Sequence, residues 1–186
     1  KIGHTGTLDP AAEGVLPVCL GKATKVCDLL TDKDKTYQAV LHLGITTDTQ
    51  DMTGEILEEA PVLISEERVR EAVMSFVGEY DQIPPMYSAL KHNGKKLYEL
   101  ARAGKEIERK PRPVTIYALE LLDGDGADWT IRVRCSKGTY VRTLCHDIGA
   151  ALGCGGCMSS LRRTMIGSRT PTDWILLTRP PKSFGV

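Results

Sequence analysis

The sequence predicts an α+β fold in which a mainly antiparallel, mixed sheet carries flanking helices. Residues 35–44 alternate between apolar and polar side chains, which is typical of a half-buried strand. Residues 114–122 and 129–135 indicate two further strands, joined by an Asp-Gly-Asp-Gly turn. Apolar residues recur at helical spacing over 65–77 and 140–152. These segments account for one hydrophobic core.

Length and composition restrict the class of protein. The chain has 186 residues, enough for a single domain with one core. Its 24 basic and 24 acidic residues give no net charge, which argues against a general binder of polyanions. No apolar segment reaches membrane-spanning length and none resembles a signal peptide, so we expect a cytoplasmic protein without a membrane partner.

The N-terminal segment from Gly3 to Gly21 holds four glycines and two prolines around one aspartate, Asp9. Such a density of residues with special backbone geometry indicates that the backbone path is tightly specified. Two interpretations of Asp9 remain open. An Asp-Pro pair followed by Ala-Ala-Glu is a good helix start, with aspartate as the N-cap. Alternatively, the turn presents a carboxylate for chemistry. The local pattern alone favours the cap.

The remaining elements are shorter. Residues 46–54 form a polar turn whose acids lack the spacing of a calcium loop, so side chains that bond to their own backbone are favoured. Ser65 is expected to cap the helix that follows it. We expect, in chain order, a helix at 22–31, a strand at 55–57, an extended segment at 82–90, a hairpin turn at 92–94, a helix at 96–103 and a last strand at 161–167.

Basic residues concentrate between positions 91 and 112, where eight cations face three acids. A mobile cationic flap that contacts phosphates and a solvated helix face are equally good interpretations of charge alone. The basic side chains considered for phosphate contacts are Lys91, Lys95, Lys96, Arg102 and Arg109.

Six cysteines are present, and most lie singly in apolar segments, which suits reduced, buried thiols. Cys154 and Cys157 have the spacing of a metal knuckle or a redox pair, with Cys145 and His146 upstream. A second matching pair is missing, so a glycine-rich loop with incidental thiols is favoured over a metal site. We expect neither a metal nor a cofactor.

Five segments together resemble the signature of TruB-type pseudouridine synthases. The first is Gly3-His4-Thr5-Gly6-Thr7-Leu8-Asp9-Pro10 with the glycine-rich continuation to Lys25. The others follow in the family's order: Lys35-Thr36-Tyr37, Thr47-Asp48-Thr49-Gln50-Asp51, Lys137 to Leu144, and Leu161-Arg162-Arg163-Thr164. The resemblance implies a pseudouridine-synthase catalytic domain that isomerises uridine to pseudouridine without water or a redox cofactor.

The resemblance also assigns roles to single residues. Asp9 would be the catalytic carboxylate, which attacks C1′, adds to C6 or takes a 2′ proton. Arg142 would pair with it and hold its pKa down against desolvation. That arginine falls in the first turn of a predicted helix, an unfavourable place for a cation. In the implied pocket Tyr37 stacks on the flipped uracil, and Tyr140 forms a hydrogen bond to it and helps relay the C5 proton. Leu161 forms an apolar wall, and Asp51 supports the site from behind. His4 fills the gap that the flipped base leaves, or contacts the RNA stem.

Residues 82–113 resemble the RNA-binding thumb insertion of the bacterial tRNA enzymes in the family. This implies tRNA as the substrate, at the T-loop uridine 55, with the five basic residues named above on its phosphates. We expect a single domain over 1–186 and a monomer that needs no protein partner. At the N-terminus the family's first strand is not recognised, so the chain is expected to be N-terminally truncated. At the C-terminus the family's RNA-binding module is not recognised either. The segment 170–186 stays unassigned and is expected to be a frayed tail.

Two other functions remain open. A non-catalytic RNA-binding or RNA-folding protein would retain the flap and the pocket without turnover. A nucleoside or carbohydrate enzyme would use Asp9 at a sugar carbon, and a glycosidase of that kind usually needs a second carboxylate, for which Asp48 and Asp51 are the candidates.

Overall fold

A computed structural model describes residues 1–170 of the chain. Twelve strands lie within these residues: β1 (Ile2–His4), β2 (Glu13–Gly14), β3 (Val18–Leu20), β4 (Lys35–Leu43), β5 (Ile45–Thr47), β6 (Ile56–Glu59), β7 (Gly78–Gln82), β8 (Lys91–His92), β9 (Lys95–Lys96), β10 (Arg112–Asp125), β11 (Asp128–Cys135) and β12 (Gly156–Ile166). The α-helices in this part of the chain are α1 (Cys27–Thr31), α2 (Glu66–Ser75), α3 (Leu97–Arg102) and α4 (Val141–Leu152).

Six strands form the main sheet, in the order β2-β12-β4-β11-β10-β7. Every neighbouring pair is antiparallel except β12 with β2, which is parallel. The α+β prediction of a mainly antiparallel mixed sheet is therefore confirmed. Three two-stranded ribbons, β1–β3, β5–β6 and β8–β9, surround it.

Strand β4 lies between β12 and β11 and illustrates how the sequence pattern becomes a core. Its residues alternate as predicted, with Tyr37, Ala39, Leu41 and Leu43 buried on one face. Buried residues of the neighbouring strands β10 and β11 extend this face of the sheet, and helices α2 and α4 cover it. Toward the start of β4 the same face continues into an open cleft.

Helix α2 begins, and helix α4 ends, as their sequences indicate. The side chain of Ser65 accepts a hydrogen bond from the Arg68 N–H and caps α2. Helix α4 ends at Gly153, whose φ of 78° lies in the left-handed region that favours glycine. Val69 and Val73 of α2 are fully buried, whereas Val77, the last residue of the range with helical spacing, lies beyond α2 and is exposed.

The predicted helix after Asp9 is wrong. Ala12 N–H donates to the Asp9 carbonyl at 2.9 Å in an isolated turn, and the chain then enters β2 instead of a helix. Gly14 explains the difference, because a Cβ there would lie 2.0 Å from the Arg163 carbonyl oxygen. Close pairing with β12 therefore overrides the local helix signal.

Smaller differences concern element ends. The helix predicted at 22–31 is a 3₁₀ segment, Gly21–Val26, followed by α1. The last strand starts at Gly156, five residues before its predicted start at Leu161, and therefore includes Cys157. Cys154 lies just before it, and both thiols are free and buried. No group of three metal-ligating side chains occurs within residues 1–170.

The segment predicted as a cationic flap contains a β-hairpin followed by a short helix. Strands β8 and β9 pair across the turn predicted at Asn93-Gly94, and both turn residues have positive φ. Lys91 and Lys95 thus lie in the hairpin rather than on a helix. No helix among residues 1–170 is long and apolar enough to cross a membrane. The segment from 171 onward, including the predicted frayed tail, lies outside the described residues.

Candidate active site

A cleft of about 1040 Å³ opens at the start of β4, and Asp9 lies in its wall. It is bounded by the N-terminal loop, the turn 47–55, segment 87–89, the residues that precede α4 and the facing part of β12. Eight side chains that the sequence singled out line it: Asp9, Tyr37, Asp48, Asp51, Arg102, Tyr140, Arg142 and Leu161. They come from six separate stretches of the chain and meet only in the folded state.

The central contact in the cleft joins Asp9 to Arg142. Arg142 Nε lies 2.8 Å from Asp9 Oδ2, and Nη2 donates a hydrogen bond to Oδ1 at 3.2 Å. The Arg142 side chain is 7% exposed, whereas that of Asp9 is 36% exposed. The carboxylate is therefore paired on one side and open to the cleft on the other, as a group that must meet a substrate requires.

Arg142 is held from several directions. Its Nη1 donates to the Thr49 carbonyl at 3.0 Å and lies 3.4 Å from Asp51 Oδ2. Its Nη2 also donates to the Tyr87 carbonyl at 2.9 Å. Asp51 is in turn fixed, because its Oδ1 accepts bonds from the Thr49 hydroxyl and from Thr53. The polar turn thus uses its side chains on its own backbone, as predicted, and also orients the guanidinium.

Burial raises the pKa of Asp9 above its ordinary value. The positive charge of Arg142 lowers the pKa of Asp9, and the negative charge of Asp51 raises it. Desolvation is the largest of these effects. Arg142 therefore lowers the pKa of Asp9 against desolvation, as expected, but desolvation is the larger effect.

Asp51→Asn is expected to move the acidic limb of the activity profile to lower pH. The reaction that the family resemblance implies needs ionised Asp9, so activity should fall as the pH falls through the pKa of Asp9. Removing the charge of Asp51 removes one cause that raises that pKa. The measurement is kcat/KM for pseudouridine formation between pH 4 and 8. Glu55→Gln, at another carboxylate on the cleft, is the control and should leave the limb in place. A limb unchanged in Asp51→Asn would contradict the electrostatic coupling.

The walls beside Asp9 are apolar or aromatic. Tyr37 and Leu161 are each 9% exposed, and they come from β4 and the adjacent strand β12. Burial raises the pKa of Tyr37 and of Tyr140, so both phenols stay protonated at neutral pH. Tyr140 is the residue that immediately precedes α4.

The remaining predicted residues do not line the cleft. His4 is exposed in β1, opposite Val18. Among the five basic side chains, Arg102 alone lines the cleft, and its guanidinium lies over the Tyr98 ring. The other four are Lys91, Lys95, Lys96 and Arg109, and Arg109 donates to the Pro84 carbonyl at 3.2 Å.

Sequence reasoning missed Arg163, which is 1% exposed on β12 and lines the cleft. Its guanidinium donates to three carbonyls of the loop that carries Asp9: to Val15 at 2.8 Å, Gly6 at 3.2 Å and Thr7 at 3.4 Å. The loop backbone is therefore held by one side chain from the sheet. The signal was available, since Arg163 belongs to a matched family segment and alternates with Leu161 on the same strand.

Arg163→Met is expected to lower kcat for pseudouridine formation by about a hundredfold, because misplacement of a catalytic group by about 1 Å has costs of that order. The loss in kcat is the readout of the positioning role, because the loop that Arg163 holds carries the reacting group; a change in KM would report RNA binding by the guanidinium itself. Arg162→Met, at the exposed neighbour on the same strand, is the matched control. Equal kinetics for the two variants would exclude the positioning role of Arg163.

Gln82 is a second residue that sequence reasoning missed. Its side-chain amide accepts from the Tyr140 N–H at 2.8 Å and donates to the Tyr140 carbonyl at 3.0 Å. Gln82 is 1% exposed and ends β7, where the predicted insertion begins. One side chain thus connects the base of that segment to the backbone before α4.

Comparison with known proteins identifies the ancestry of this site. The family model described as TruB family pseudouridylate synthase, N-terminal domain, matches residues 1–141. The chain belongs to the TruB family. A second model, the tRNA pseudouridylate synthase B C-terminal domain, matches residues 142–178 and so extends into the segment 170–186 that the sequence left unassigned.

Curated relatives of this TruB family chain carry the same family name. It is 60% identical over 88% of its length to tRNA pseudouridine synthase B of Alkaliphilus oremlandii, and 55% identical over 96% to that of Aromatoleum aromaticum. These matches cover 55% and 58% of the two relatives, so the chain spans little more than half their length.

Solved structures support the same TruB-type fold. A chain in the crystal structure of a Cbf5–Nop10–Gar1 complex superposes with a TM-score of 0.67 at 38% identity, covering 89% of this chain and 40% of that one. A chain in an H/ACA ribonucleoprotein bound to a substrate RNA containing 2′-deoxyuridine gives a TM-score of 0.64 at 34% identity, over 90% and 39%.

Proposed function

We propose that this chain isomerises uridine to pseudouridine in the T loop of tRNA, at position 55. The observation that carries the proposal is the Asp9–Arg142 pair, in which a carboxylate held by a buried cation faces an open cleft. The names of the relatives in the TruB family supply the reaction and the substrate class.

In the proposed reaction the N1–C1′ bond of uridine breaks and a C5–C1′ bond forms, while the proton on C5 leaves and N1 takes one up. Asp9 acts on the sugar or the base in its ionised form. Arg142 stabilises that form where burial opposes it. Tyr37 stacks on the flipped uracil, Leu161 forms the apolar wall, and Tyr140 bonds to the base and helps relay the C5 proton. Asp51 orients Arg142.

We further propose that residues 82–113 serve as a thumb on a single catalytic domain. The exposed cations of the β8–β9 hairpin, with Arg102 at the cleft, would contact phosphates of the T stem-loop and give salt-dependent affinity. His4, exposed at the end of β1, would contact the RNA near the vacated stack. We also propose that the chain acts on tRNA in the cytoplasm as a monomer and needs neither a cofactor nor a protein partner.

The test is incubation of the 186-residue chain with an unmodified tRNA transcript, followed by mapping of pseudouridine with carbodiimide and primer extension. We expect a single stop at uridine 55 and no stop in a transcript with cytidine there. Tight binding of the transcript without any pseudouridine would reject the enzyme and favour the non-catalytic RNA-binding function.

A further inference from the structure

Two buried cations, Lys35 and Arg163, line the same cleft as Asp9. Lys35 is 7% exposed and Arg163 is 1% exposed. Both point to the face that carries Tyr37, because Lys35 precedes Tyr37 by two residues on β4 and Arg163 lies opposite Tyr37 on β12. The wall on which the uracil is proposed to stack therefore continues into a positively charged part of the cleft.

Neither cation has a carboxylate partner within residues 1–170. Lys35 Nζ donates to the Thr31 carbonyl at 2.5 Å, and Arg163 bonds to the three loop carbonyls described above. The acids closest in sequence to Lys35 are already paired: Asp32 with Lys137 at 2.8 Å, and Asp34 with Arg134 at 3.1 Å.

Two adjacent buried positive charges without a counter-ion are costly, since neither is fully solvated. The pKa of Lys35 is lowered by burial and then by the charge of Arg163. An anion in the cleft would relieve both effects. Arg142 is already balanced by Asp9 and Asp51, so the buried cations of the cleft that lack a paired carboxylate are Lys35 and Arg163.

The adjoining turn offers further donors. Ser136, Lys137, Gly138 and Thr139 line the cleft, and Gly138 has a φ of 84°. The backbone N–H group of Gly138 has no hydrogen-bond acceptor in the part of the chain that the structure describes. Backbone N–H groups beside buried cations suit a tetrahedral anion with several oxygens.

We propose that Lys35 and Arg163 form a subsite for one phosphodiester of the substrate RNA, next to the uridine that stacks on Tyr37. This inference rests on the proposed function. The Cα atoms of Lys35 and Tyr37 are separated by about 7 Å along the strand, so a nucleotide stacked on Tyr37 brings an adjoining phosphate within reach of Lys35. The subsite orients the flipped nucleotide, whereas the hairpin cations supply general affinity.

The experiment is a double-substitution cycle on binding. A labelled T-arm stem-loop RNA is synthesised with ordinary linkages, or with a single neutral methylphosphonate on the 5′ or the 3′ side of the target uridine. Dissociation constants are measured by fluorescence anisotropy for the wild-type chain and for Lys35→Met. For the wild type, one of the two neutral linkages should weaken binding about tenfold, the loss of one charge-assisted contact.

For Lys35→Met, binding of the ordinary RNA should weaken severalfold, and that neutral linkage should then cost clearly less than in the wild type, because only Arg163 still contacts the phosphate. The slope of affinity against salt should fall by about 0.7, the value for one phosphate of a single strand. Lys35→Arg, which keeps the charge, should retain the linkage penalty. Lys33→Met, at an exposed lysine two residues away, should behave as wild type. Thermal unfolding by circular dichroism establishes that each variant is folded.

Equal linkage penalties in wild type and Lys35→Met, at both positions, would overturn the subsite, and so would loss of the penalty in Lys33→Met. The two proposals fail in different ways. A coupled pair in a chain that forms no pseudouridine would leave the subsite standing and reject the catalytic function. Normal turnover, with a linkage penalty that is the same in the wild type and in Lys35→Met, would leave the catalytic function standing and reject the subsite.

Discussion

Asp9→Asn is expected to abolish pseudouridine formation, with a loss of at least about a thousandfold in rate. Each route considered for the reaction needs an ionised carboxylate at this position, and an amide can neither attack the sugar nor accept its proton. Binding of tRNA should persist, because the hairpin cations are unchanged. A tritium-release assay under single-turnover conditions measures the rate, and filter binding measures the affinity.

Asp28→Asn, at an exposed acid in α1, is the matched control and should turn over at the wild-type rate. Stability provides an independent readout with a definite sign. Folding raises the pKa of Asp9. Ionisation of Asp9 therefore lowers the free energy of unfolding as the pH rises from the pKa of the unfolded chain through that of the folded chain. Asp9→Asn should remove this decline from a denaturation series between pH 4 and 7. Wild-type turnover by Asp9→Asn would exclude the catalytic role of Asp9.

Arg142→Met should damage both activity and stability. Its guanidinium is the shared partner of Asp9, Asp51 and the carbonyls of Thr49 and Tyr87. Its removal leaves two carboxylates without their cation, and we expect the free energy of unfolding to fall by about 3 kcal/mol, the lower end for a broken buried pair because Asp9 is partly exposed. Turnover should fall at least about a hundredfold, as for other lost electrostatic contacts in active sites.

The direction in which the acidic limb of activity moves separates the electrostatic effect of Arg142 on Asp9 from its contribution to stability. Loss of its positive charge raises the pKa of Asp9 further, so the acidic limb of the residual activity should move to higher pH, opposite to Asp51→Asn. Arg142→Lys should restore part of the pH behaviour but not all of the stability, because one ammonium cannot reach all four partners. Arg132→Met, at an exposed arginine of β11, is the control for urea denaturation and kinetics. An unshifted limb in Arg142→Met would contradict the ion pair's effect on Asp9.

Patterns that depend on local periodicity were predictable. The alternation of β4, the capping of α2 by Ser65 and the hairpin turn at Asn93-Gly94 are confirmed. Each follows from the geometry of a few neighbouring residues. The helix expected after Asp9 failed for the opposite reason, because pairing of Gly14 with a strand about 150 residues away decides the backbone there. Local propensity contains no information about such a neighbour.

The sequence by itself determined the fold class, the family and the identities of the side chains that could act on a uridine, since these depend on residue type, spacing and motif order. Only the tertiary structure decided which of them meet. It joins Asp9 to Arg142 across 133 positions and leaves His4 outside the cleft. It also shows that Arg163 and Gln82 hold backbone groups of the site by hydrogen bonds, and that Lys35 is buried without a paired carboxylate among the described residues. Hydrogen-bond satisfaction and burial are properties of the packed chain, and they cannot be read before distant segments are in contact.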